Sequence, residues 1–158
     1  MEKEFKEIIE QSTESLKQAE NKLESLSEDF TEDASEFWGD LKKRFSKVSD
    51  KLQDAYHEFD DKAELQAHLS MMEARDRLEK VKESAEDFAF KTSNKTEESL
   101  DIAALKAHLA RMDAEDQWEE TKKELSEKYE ESKVEVEKLA HKAGKEINEI
   151  FVKLTEMV

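Results

Sequence analysis

Ala63-Glu-Leu-Gln-Ala-His-Leu-Ser-Met-Met-Glu-Ala-Arg-Asp-Arg-Leu-Glu-Lys-Val-Lys82 is written a second time 40 residues further on. The copy reads Ala103-Ala-Leu-Lys-Ala-His-Leu-Ala-Arg-Met-Asp-Ala-Glu-Asp-Gln-Trp-Glu-Glu-Thr-Lys122 and aligns without a gap. Ten of the twenty positions are identical, which marks an internal repeat. A fainter third copy places Ala34, Trp38, Leu41 and Phe45 against Ala74, Leu78, Val81 and Ala85, and against Ala114, Trp118, Thr121 and Leu125. The repeats run over 34–73, 74–113 and 114–153 of a single domain. Forty residues is close to eleven turns of helix, so duplication at this interval keeps the same face aligned.

On a helix each residue advances about 100°, and the repeated stretch then shows two opposed apolar faces. Ala63, Ala67, Met71, Ala74, Leu78 and Val81 form a long seam rich in alanine, which suits close approach of another helix. On the opposite side lie Leu65, Leu69 and Met72, closed by Asp76 and Glu79. The copy repeats the short face as Leu105, Leu109 and Met112, followed by Asp116 and Glu119. A bundle helix needs only one apolar stripe. The second must be covered by another helix of the chain or by another molecule, and His68 and His108 border it.

The same periodicity extends outward in both directions. Phe5, Ile9, Leu16, Ala19, Leu23, Leu26 and Phe30, with Ser12 filling one gap, alternate steps of three and four, a heptad seam. From Phe30 to Phe59 the period becomes eleven (Phe30, Leu41, Leu52; Ala34, Phe45, Tyr56; Phe37, Val48, Phe59), which favours straight packing. Ser25-Leu-Ser-Glu28 fits a capping box and Thr31-Glu-Asp33 puts acids in a first turn, so a helix restarts there. Asp61 with Glu64 marks the next start. Lys91-Thr-Ser-Asn-Lys-Thr96 reads as a loop, and Thr96 followed by two glutamates as a helix start. The last seam, from Leu100 to Leu154, reads as one helix of about 60 residues, close to 90 Å long.

Composition agrees. The 158 residues include no proline and two glycines, and 43% of them are charged. An all-α fold follows, an elongated antiparallel helical bundle or coiled coil. Four helices are expected near 3–26, 31–60, 62–92 and 97–157, with three long helices as the alternative if the first two segments fuse.

A net charge of −16, from 42 acidic and 26 basic residues, disfavours nucleic acid and anionic lipid. There is no cysteine, hence no thiol nucleophile or disulfide. No signal core or apolar span is present, so a cytoplasmic protein without stable membrane association is expected. His68 and His108 each precede a Met by four and an Asp by eight, a generic stripe. In a hairpin about residues 94 and 95, His108 lies level with residue 81, about 20 Å from His68, too far to share an ion. Asp54-Ala-Tyr-His57 stands alone where a di-iron bundle needs paired motifs. Trp38 and Trp118 read as core, with Trp118 level with Met71. No metal, cofactor, catalytic group or small-molecule substrate is expected, and no enzyme activity.

Function is read as non-enzymatic interaction or scaffolding. The expected interface is Leu65, Leu69, Met72, Leu105, Leu109 and Met112 with His68 and His108, facing a protein partner or a second copy of the chain. The alternatives are an acidic decoy or chaperone for a basic protein, and a reversible lipid-surface bundle.

Overall fold

In a computed structural model, the chain is described over residues 2–93, 102–114 and 117–157. Among these residues there are six α-helices and no strand: α1 (Glu2–Ser25), α2 (Glu32–Asp60), α3 (Glu64–Ser93), α4 (Ile102–Ala114), α5 (Trp118–Glu131) and α6 (Lys133–Met157). The expected loop Lys91–Thr96 is corrected at its start, since 91–93 are the last residues of α3; the rest of it, the helix start at Thr96 and the hairpin tip lie outside the described residues, as does Asp116.

Thr31 decides that the first two segments are separate helices. Its backbone is extended, and its hydroxyl accepts the Ala34 amide at 3.2 Å, the N-cap bond that satisfies an orphan donor of α2. Ser25 plays no such part and donates instead to Lys22 O. A short 3₁₀ turn, Ser27–Asp29, links the two helices. Asp61 ends α2 rather than starting α3. Lys62 takes a left-handed φ of 64°, its amide bonds Phe59 O at 3.1 Å and the Ala63 amide bonds Glu58 O at 2.8 Å. That pair of bonds is a Schellman stop, here built without glycine.

Cross-links give the directions. Lys6 with Asp60 and Glu24 with Lys42 set α1 antiparallel to α2. Lys51 with Glu73 and Ser70 with Glu58 do the same for α2 and α3. Arg44 with Asp113 and Lys106 with Glu36 run α4 alongside α2, and so down the outside of α3. Lys133 with Glu64, Arg75 with Glu146 and Lys153 with Glu86 bring α6 back up, parallel to α3. Consecutive passes therefore alternate, with α4 and α5 sharing the fourth.

Four helices form a ring in the order α1, α2, α3, α6. Its interior is filled by the aromatic seam of α2. Phe45 meets Phe151 of α6 edge-on at 5.5 Å, and Phe37 meets Phe88 of α3 at 5.1 Å. Leu41, Val48, Leu52, Met71, Leu78 and Ile147 are fully buried around them. The α4–α5 pass lies outside this ring.

The single long helix over 97–157 is corrected: the described part of it is three helices. Gln117 has left the helical region at φ −120°, ψ 23°. Ser132 is extended at φ −149°, ψ 94°, closing α5 by an amide bond to Lys128 O and opening α6 by accepting the Glu135 amide. A ring position beside α1 and α3 buries Val136, Ala140, Ala143, Ile147, Ile150, Phe151 and Leu154. A straight helix would leave them in water, so folding back at Ser132 wins.

Candidate functional site

The two copies of the repeat have different fates. In α3 both faces are covered. Ala67, Met71, Ala74 and Leu78 are buried in the ring, and Leu69 and Met72 are buried as well, with Leu65 half-buried. In α4 only the short face is turned inward: Leu105 and Leu109 are buried, and Met112 and His108 half-buried. The alanine seam of the copy, Ala103, Ala107, Ala110 and Ala114, faces solvent. Ring places beside α3 are taken, so α4 can bury one face. Leucine loses more apolar area to water than alanine, which decides which face it is.

Of the side chains expected at an interface, Leu69, Met72, Leu105 and Leu109 are buried, while Leu65 and Met112 stay half-buried. These side chains are packed within the chain itself, because the fourth pass folds over the bundle that a straight helix would have left open. What remains outward is the alanine part of a seam expected to be inside, while Trp118 and Leu125 further along that seam are buried. Trp118 and Trp38 are both buried, as core residues. Trp118 lines one groove with Val81 and Arg77, a lining that does not include Met71.

Between α2 and α3 runs a groove of about 600 Å³, closed on its outer side by Asp113 and Trp118. Lys43, Arg44, Lys47, Arg77 and Lys80 line it, against Asp40, Glu73, Asp76 and Asp113. Arg44 grips Asp113 through two bonds of 2.9 Å and reaches Asp40 at 3.2 Å. Those bonds hold the Asp113 carboxyl below its ordinary range and raise the Arg44 guanidinium. Lys80 pairs with Asp76 at 3.4 Å. The groove is a charge-matched seam that fastens the outer pass.

The second polar cluster sits at the end of the bundle where α1, α2, α3 and α6 meet. A cavity of about 200 Å³ is lined by Phe5, Phe59, Glu64, His68, Lys133, Glu137 and His141. The His68 imidazole is 2% exposed, and its Nδ1 is buried without a hydrogen-bond partner. Phe5 stands edge-on to it at 5.1 Å, Phe59 lies at 6.3 Å, and the Phe5 ring also meets His141 at 5.6 Å. Burial pushes His68 down to about 4, helped by His141 and Lys133 and opposed by Glu64. His141 is also lowered, again chiefly by burial. Phe5, Lys133 and His141 were not among the expected site residues. One sequence signal links the pair: each histidine follows a glutamate by four residues, Glu64-x-x-x-His68 and Glu137-x-x-x-His141.

His108 is placed differently. Its Nδ1 lies 3.2 Å from Arg111, and its Nε2 3.6 Å from Glu83. Among the described residues no group of three or more His, Asp or Glu side chains is arranged to hold a metal ion. None of the described helices is long and apolar enough to cross a membrane. No protein-family model matches the chain, and no curated protein or solved structure matches it significantly.

Proposed function

We propose that the chain is a non-enzymatic interaction protein that receives an acidic amphipathic helix of a partner on the outer face of α4. The observation that carries this reading is the outward alanine seam, Ala103, Ala107, Ala110 and Ala114, on a helix whose exposed flanks are Lys106 and Arg111. Small residues let a neighbouring helix approach closely, as the same seam does inside the ring at Ala67 and Ala74. Charge selects the occupant. In a chain of net charge −16, the exposed charges of α4 are Lys106 and Arg111 against Asp113, and Asp113 is already taken by Arg44. Two such faces repel each other, and 13 residues of helix, about 20 Å, offer less than the roughly 800 Å² per partner of a stable dimer.

A designed Glu-rich amphipathic peptide bearing a fluorophore tests it, with a Lys-rich counterpart and zwitterionic vesicles as parallel arms. The acidic peptide is expected to bind, and Ala107→Glu with Ala110→Glu to weaken it at least tenfold while helicity is retained. Preference for the basic peptide moves the assignment to the acidic-chaperone reading, and vesicle binding alone moves it to the lipid-surface reading. Equal or absent binding of both peptides overturns the docking face.

A further inference from the structure

His68 is the most deeply buried of the four histidines, and the elements around it converge on a single aromatic side chain, Phe5. We propose that this junction is an acid-operated release: protonation of His68 undocks the first turns of α1 from α2, α3 and α6, while the remainder of the ring holds.

The geometry supplies the parts. Phe5 is 0% exposed and packs on Phe59 at 4.9 Å as well as on both imidazoles, so this ring stack, with the Lys6–Asp60 pair beside it, fastens the start of α1. A charged His68 needs water or an anion, and its Nδ1 has neither a partner nor exposed surface. The charges facing it do not rescue it. From α3, Glu64 is engaged by Lys133 at 2.7 Å. From α6, Glu137 shares Lys133 at 3.9 Å, while Lys133 adds positive charge beside the cavity. Lys145 of α6 and Glu4 of α1 act on His141 with opposite signs. From α2, Asp60 is taken by Lys6. Opening the cavity lets the imidazolium be hydrated. α1 is the element that gives way, because Phe5 lies in a first turn, whose backbone amides have no helical acceptor.

The direction follows from linkage. Below about pH 6.5 the opened state takes up a proton that the closed state refuses, so acid favours opening, by up to tenfold per pH unit for one proton. Carboxylates, whose protonation relieves the net charge, titrate mostly below about pH 5, so the window from 7.5 to 5.5 belongs to histidine.

Amide exchange of the Phe5–Ile9 segment, corrected for intrinsic rate, reads the opening. Protection is expected to fall about tenfold between pH 7.5 and 5.5 in the parent chain and by much less in His68→Leu, where only His141 remains beside Phe5. Amides around Phe45 are expected to be insensitive in both. Phe5→Ala should show the segment already open at pH 7.5, with no further dependence on pH. Should His68→Leu fail to fold, the NMR titration of His68 in the parent chain decides. A midpoint well below that of a free imidazole sustains the proposal, and one at or above 6.5 overturns it. Equal loss of protection in parent and variant, or none in the parent, overturns it as well.

Discussion

Arg44 on α2 and Asp113 on α4 face each other through two parallel bonds of 2.9 Å, and this pair ties the outer pass to the ring. The Asp113 carboxylate is 52% exposed, so the pair is worth at most about 1 kcal/mol, and less in salt. Its loss acts locally, because α4 is not a ring member. Asp113→Ala should raise amide exchange across Leu105–Leu109 by up to about fivefold and leave the urea midpoint of the whole chain nearly unchanged. A full double-mutant cycle with Arg44→Ala isolates the coupling. A large fall in the global midpoint would mean that α4 is a structural member of the core.

The two glycines respond oppositely to alanine. Gly39 is helical, and a Cβ there meets nothing within 4 Å, so Gly39→Ala should stabilise by about 1 kcal/mol through helix propensity. At Gly144 a Cβ would come 2.3 Å from Ile8 Cγ2 and 3.3 Å from Met71 Cε. There α6 presses on α1 and α3, and Ser12 donates to Gly144 O at 3.0 Å. Gly144→Ala should cost about 1–3 kcal/mol by overpacking. Urea denaturation of both variants checks the sign, and a stabilised Gly144→Ala would show that the α1–α6 contact is looser than this.

Lys62 holds a left-handed backbone at φ 64° to stop α2. A side chain at that conformation is strained by about 1 kcal/mol relative to glycine. Lys62→Gly is therefore expected to raise the thermal midpoint, and Lys62→Val to lower it, since a β-branched residue fits this region worst. If glycine lowers the midpoint, entropy lost from the unfolded chain outweighs the relief.

Much of the ring was legible because periodicity reports which residues share a face. The eleven-residue seam of α2 is the buried seam of α2, and the bounds of α1, α2 and α3 fall within a few residues of expectation. Periodicity does not report which of two opposed faces turns inward. That is why the alanine seam of the second copy, buried in α3, is outward in α4. Gly144 reads in sequence as a weak point of a helix, whereas its close approach to Ile8 depends on a partner that only tertiary structure brings. The His68 cluster was half visible. Helical projection puts the histidine on the border of an apolar face, but Phe5 and His141 come from segments more than sixty residues away.

Ser132-Lys-Val-Glu135 has the spacing of a capping box, and the Ser132 hydroxyl accepts the Glu135 amide. It sits in the middle of a strong helical seam, and the seam dominated. The residue is therefore a one-residue hinge between two helices that would otherwise continue into each other. Ser132→Ala removes the cap, at about 1 kcal/mol, and favours a straight helix through 118–157. A straight helix takes α6 out of its own ring, and the vacated place is filled most readily by α6 of a second chain, a domain swap. Refolded at high concentration, Ser132→Ala should show an increased dimer fraction by light scattering, while Ser132→Asp, which caps as well as serine, should match the parent chain. An unchanged mass distribution in Ser132→Ala would place the origin of the turn in the burial of α6 alone, with the cap following the fold rather than directing it.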